Sequence, residues 1–168
     1  MATKPQGGTV RSSCTDTRGR TDAPTRGVAA PATDWRLQLR PERAPRVAID
    51  PRTGLLLLRP TPLLVGEELA TVPAGQVLTL AELRARLAAR CGAARACPLA
   101  TAHSARVLAG VVAQDLREHR KPRWPIWRLV QDNGVLPPRW ALDALFRASL
   151  LREEGRRVTR AGSGWKAV

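Results

Sequence analysis

The side chains with nucleophilic or metal-binding chemistry are few: three thiols, Cys14, Cys91 and Cys97, and two imidazoles, His103 and His119. The spacing Cys91-x5-Cys97 is too wide for a zinc knuckle, and no CxxC pair exists to start a metal site. An odd number of cysteines behind an N-terminus without an apolar block argues against a disulfide framework and for reduced thiols. Cys97 precedes a helix and follows Arg95, a setting that favours the thiolate; a buried structural cysteine is the preferred reading. The abundant chemistry is cationic. Lys and Arg number 28 against 14 Asp and Glu, giving a net charge of +14, and 25 of the 28 are Arg. Guanidinium groups fork two hydrogen bonds to a phosphate or a guanine edge, and each phosphate they neutralise releases counterions. Arg-rich, Tyr-free composition also follows from GC-rich coding, so charge alone leaves nucleic-acid binding and compositional bias evenly weighed.

The elements that position these groups begin late. Residues 1–46 are rich in Thr, Arg, Pro, Gly and Ser and carry little periodic apolar pattern, which predicts a disordered basic arm. A helical turn over residues 34–40, docking through Trp35 and Leu37, is the one exception considered. Residues 46–50 and 55–58 read as two short strands about a Pro51–Gly54 turn, followed by a helix from Pro62 to Thr71. Thr79 with Glu82 forms a capping box for a helix over 80–90. Thr101 is expected to cap a longer helix reaching residue 120, with Val107, Leu108, Val111, Val112 and Leu116 on its core side. These two helices read as a helix-turn-helix.

The second helix carries Ala102, Arg106, Ala109, Gly110, Ala113 and Arg117 on its other face. Small residues there permit close approach to a DNA groove, or equally to another segment of protein. Residues 124–130 and 135–136, joined by Asp132-Asn133-Gly134, predict a two-stranded wing. A closing helix over 139–154 completes a mainly α, winged helix-turn-helix plan with a small β hairpin. The domain is drawn over 47–160, with 161–168 as a tail. At 168 residues a single domain is expected. The longest apolar run, Val107 to Ala113, is far shorter than the about 20 residues that span a bilayer, so no membrane partner is expected.

Three stretches in this order resemble the DNA-binding domain of the alkylguanine-DNA alkyltransferases, the methylated-DNA–protein cysteine methyltransferase family, and its alkyltransferase-like members. Val72-Pro73-Ala74-Gly75-Gln76-Val77-Leu78-Thr79 is similar to the lead-in of the family's helix-turn-helix. Ser104-Ala105-Arg106-Val107-Leu108-Ala109-Gly110 resembles the recognition-helix segment whose arginine replaces an extruded base. Pro125-Ile126-Trp127-Arg128-Leu129-Val130 aligns with the active-site signature Pro-Cys-His-Arg-Val, and Leu150-Leu151-Arg152-Glu153-Glu154-Gly155 follows at a suitable distance. The likeness spans about residues 62–156.

The departures bear on mechanism. Ile126 stands at the family's cysteine and Trp127 at its histidine, and a hydrocarbon offers no nucleophile. Of the catalytic set only the acid, at Glu154, has a counterpart. Leu80 replaces a tyrosine that helps turn a phosphate, and Leu136-Pro137-Pro138-Arg139-Trp140 replaces a Ser/Gly-rich pocket loop. The resemblance implies a DNA-binding protein of alkyl-damage recognition or repair, without catalytic residues and without cofactor or metal. Its DNA contacts would come from Arg106, Thr79, Ser104, Gly110, Arg117 and Arg128. Ile126, Trp127, Trp140 and Glu154 would line a lesion pocket, with the two indoles able to stack on an extruded base. The implied partners are double-stranded DNA and a repair protein; a monomer in the cytoplasm, nucleoid-associated when bound to DNA, is expected. The alternatives are a winged-helix transcription regulator, a methyltransferase accepting the alkyl group on Cys97, and a scaffold that binds only protein.

Overall fold

The computed structural model describes residues 33–168, so the basic-arm reading of 1–46 lies outside the described residues as far as residue 32. From residue 33 onward the chain differs from that reading: Thr33–Val168 forms one compact unit. A single 3-10 turn, Arg36–Gln38, sits between Trp35 and Leu39, both packed against the main core. Leu37, expected to dock, is 75% exposed. An indole is enough to hold the segment because it buries far more apolar area than the leucine would.

Strand β1 (Arg46–Ile49) pairs antiparallel with β2 (Leu56–Arg59), as the Pro and Gly of the intervening turn require. Asp50 fixes that turn by accepting from the Arg52 amide at 3.0 Å and the Thr53 hydroxyl at 3.1 Å. Helix α1 (Pro62–Ala70) starts with proline at its first position and Thr61 as its cap. Strand β3 (Leu78–Thr79) runs straight into α2 (Leu80–Arg90), and the predicted capping box forms in full. The Thr79 hydroxyl accepts from the Glu82 amide, and the Glu82 carboxylate accepts from the Thr79 amide at 2.8 Å. After α2, β4 (Arg95–Ala96) joins β2 in parallel, which closes the helix-to-helix connection against the first sheet.

Helix α3 (Pro98–Arg117) starts ahead of its expected cap. Proline at the first position sets the helical φ directly after Cys97, so Thr101 lies inside the first turns and its hydroxyl donates to the Cys97 carbonyl at 2.8 Å. Its far end falls at Arg117 rather than residue 120. Ala105, Leu108, Ala109 and Val112 are fully buried at the centre of a core shared with Leu64, Val65 and Leu69 of α1 and Leu83 and Leu87 of α2.

The predicted wing does not form from residues 124–136. Trp124-Pro125 leads into a 3-10 turn, Ile126–Arg128, and β5 (Leu129–Val130) pairs in parallel with β3, Leu78 opposite Leu129 and Thr79 opposite Val130. The tight turn is present, with the Gly134 amide donating to the Gln131 carbonyl at 2.8 Å, but Val135 bridges to Lys166 instead of continuing a wing. Helix α4 (Ala144–Glu153) begins later than residue 139 because Asp143, not the Pro137-Pro138 region, supplies the cap. Residues 161–168 are not a tail. They complete an antiparallel hairpin, β6 (Val158–Ala161) and β7 (Gly164–Ala167), whose Val158 and Ala167 join Val130, Leu136, Ala148 and Leu151 in a second small core. The described residues are therefore mainly α, with four α-helices and three small sheets, and none of these helices is long and apolar enough to cross a membrane.

Candidate nucleic-acid interface

Helix α3 carries most of the expected contact residues, and its surroundings sort them. Arg106 and Arg117 are exposed, and neither has a carboxylate partner among the described residues. Gly110 is not open. A Cβ there would fall inside the Trp35 ring, so the small residue serves as a notch for protein rather than for DNA. Ser104 is buried, its hydroxyl donating to the Pro60 carbonyl at 3.0 Å. Thr79 is only half-buried, but its hydroxyl and amide are both engaged in the capping box.

Beside Trp35, Arg36 pairs with Asp115 and, at 3.0 Å, with Glu118, while Gln114 accepts from the Trp35 amide at 3.2 Å. This clasp closes one flank of α3. The flank left open presents Leu99, Ala102, His103 and Arg106, while Arg117 stands apart from it near the helix end, beyond the buried Ala113 and the Gly110 that Trp35 covers. An exposed first half of the helix with the small Ala102 beside Arg106 can lie against a phosphate wall and direct that arginine to base edges.

The motif similar to the alkyltransferase signature is closed. Ile126 is fully buried in the main core, so position 126 offers a sealed hydrocarbon and not a reactive atom. Trp127 donates from its Nε1 to Glu154 Oε1 at 2.8 Å. Arg128, expected on DNA, instead binds Glu154 through Nε at 3.0 Å and Nη2 at 2.7 Å, and its Nη1 reaches the Val72 carbonyl. The Gly75 amide donates to Glu154 Oε2 at 3.1 Å. Glu154 is also not paired with its sequence neighbours Arg152 and Arg156. Burial opposes its charge, but hydrogen bonds from Arg128, Trp127 and Gly75 prevail and hold its pKa below the ordinary carboxylate range. A carboxylate so committed cannot serve as a base; it ties the 72–75 loop, the 126–128 turn and α4 together. Gly75 is required there twice over, by φ +74° and because a Cβ would stand 2.7 Å from the Glu154 carbonyl.

Trp140, the other proposed stacking indole, is half-buried and lies under the guanidinium of Arg147, 4.9 Å from its ring centre. Arg147 carried no sequence signal, yet it has no exposed surface. Its Nη2 donates to the Pro137 carbonyl, while Nε and Nη1 have no partner. Burial lowers its pKa to about 10. Asp132 was likewise missed as a positioning residue: it caps α2 from outside, accepting from the Ala81 amide at 2.7 Å and pairing with Arg84 at 3.5 Å. Among the described residues no group of three His, Cys, Asp or Glu is placed to hold a metal ion. Cys97 is half-buried as the residue ahead of α3, and its amide donates to the Leu58 carbonyl at 2.7 Å.

No family model matches the chain, and no curated protein does. Among solved structures, it is similar to S. pombe ATL in complex with DNA, with 17% identity and a TM-score of 0.43 over 64% of this chain and 86% of that one. It is also similar to S. pombe Atl1 in complex with damaged DNA containing O6-carboxymethylguanine, with 19% identity and a TM-score of 0.40 over 62% of this chain and 85% of that one. The solved structures to which this chain is similar thus include alkyltransferase-like proteins.

Proposed function

We propose that the chain is a non-enzymatic, alkyltransferase-like protein that binds duplex DNA in the recognition of alkyl damage. The observation that carries this reading is the open flank of α3, where Arg106 stands exposed behind a firmly capped α2, with Arg117 exposed further along the helix, neither having a carboxylate partner among the described residues. Position 126 supports the non-enzymatic part, since a fully buried isoleucine has no electron pair to give an alkyl group. In this reading α2 and α3 act as a helix-turn-helix, with the β6–β7 hairpin in the place of the wing. Arg106 probes the base stack, Arg117 holds a phosphate, and a bound lesion is handed to a repair protein. The protein acts as a monomer in the cytoplasm, on the nucleoid. Arg128 is a structural residue here.

The test is a gel-shift comparison of intact and O6-alkylguanine duplexes with wild type and Arg106→Ala. Loss of the arginine is expected to weaken binding by about 1–3 kcal/mol, the scale of one direct base contact. Unchanged affinity on both duplexes overturns the role of Arg106. Tight, sequence-dependent binding with no preference for the lesion favours a transcription regulator instead. Mass spectrometry of the recovered protein covers the enzymatic rival: a mass increase of one alkyl group on Cys97 establishes transfer.

A further inference from the structure

A groove of about 960 Å³ lies beside the first turns of α3, walled by residues 38–46, the end of β2 and His103. Its charged lining is one-sided. Arg40, Arg43, Arg46 and Arg59 face it with Glu42 as the one carboxylate, and none of the four arginines has an ion-pair partner among the described residues. Arginines without a carboxylate partner among the described residues also occur elsewhere, Arg106 and Arg117 among them, but Arg36, Arg84, Arg90, Arg95 and Arg128 each hold a carboxylate. Within the groove the opposite holds, and the strand register makes it costlier. Arg46 and Arg59 are direct partners across the antiparallel β1–β2 pair, an arrangement of like charges that weakens a sheet unless an anion sits between them.

We propose that this groove is a track for the sugar–phosphate backbone, continuing from the open flank of α3. His103 lines the groove and lies three residues before Arg106, less than one helical turn away, so a strand that meets Arg106 runs on into the arginines. Exposed guanidinium groups at the mouth neutralise successive phosphates and bring Arg46 and Arg59 the counter-charge that the fold withholds. This assignment rests on the duplex-binding reading and adds to it a second surface, one that contributes affinity without reading bases.

The experiment uses the full chain with three variants, Arg43→Gln/Arg59→Gln, Arg43→Lys/Arg59→Lys and Arg106→Ala. Fluorescence anisotropy on a duplex of about 20 base pairs is read across a salt series, beside thermal melts. The Gln variant is expected to flatten the salt slope by about 2 and to weaken binding roughly 10-fold at moderate salt, since each phosphate contact contributes a slope of about 0.9. Its Tm stays level or rises, because the repulsion between residues 46 and 59 is relieved. The Lys variant keeps the wild-type slope. An unchanged slope in the Gln variant, with binding lost in Arg106→Ala, overturns the groove and leaves the duplex reading standing. A wild type that binds no duplex at any salt overturns both. A flattened slope in the Lys variant as well, or a lowered Tm in the Gln variant, also overturns the groove, since the effect would then not come from charge.

Discussion

Glu154 is a carboxylate whose surroundings give it a structural task. The resemblance implies a catalytic acid at this place, whereas its partners are Trp127, Arg128 and the Gly75 amide, gathered from segments that composition cannot relate. Glu154→Gln is expected to cost about 2–4 kcal/mol at neutral pH, because it leaves Arg128 without a counter-charge in a half-buried site; urea unfolding measures it. The sign with pH follows from the depressed folded-state pKa. The contribution is complete above the unfolded value of 4.5 and is lost as pH falls through the lower folded value, so wild type and variant converge in acid. Arg147 invites the opposite outcome. A fully buried guanidinium with two unpartnered nitrogens is a strained choice, and Arg147→Met is expected to raise stability by about 1–3 kcal/mol in the same assay. A loss instead of a gain would mean that the Pro137 and Trp140 contacts outweigh the desolvation.

Among the elements, those with a local stop or start signal were legible. Thr79 with Glu82, Pro62 behind Thr61, and the Pro51–Gly54 turn each specify their conformation within four residues, and α1, α2 and the first hairpin stand where the sequence puts them. The wing and the tail were not, for a common reason. Leu129-Val130 is β-prone, but whether it pairs with its neighbour in sequence or with Leu78-Thr79, some 50 residues earlier, is decided by tertiary packing. The Gly110 notch likewise had two readings, DNA or protein, and only the position of Trp35 chooses. Gly110→Ala is therefore expected to lower stability by about 1–3 kcal/mol by displacing the indole. In a Trp35→Ala background the same change becomes neutral or favourable, as helix propensity alone remains. A thermal-melt double-mutant cycle reads the difference, and additive effects would count against the clasp.

At the scale of the molecule, the +14 charge was plain from composition, while its division into work was not. Arginines such as Arg36, Arg90 and Arg128 that hold carboxylates stitch the fold, while Arg106, Arg117 and the four groove arginines have no carboxylate partner among the described residues, a difference invisible without coordinates. Removing residues 1–45 is thus expected both to weaken DNA binding and to lower Tm, because Trp35 and Arg36 leave with the cationic segment; a merely solvated arm would change the first and not the second.

The parallel rungs that join Leu78 to Leu129 and Thr79 to Val130, reinforced by Asp132 on the Ala81 amide, fasten the start of α2 to the far side of the chain. With α3 anchored in the core and Glu118 and Arg120 engaged in ion pairs with Arg36 and Asp115, residues 121–123 are a mostly exposed stretch whose two ends are held independently of it. That short stretch is therefore the natural seam at which to splice a fluorophore-bearing loop or an affinity tag without disturbing the packing on either side.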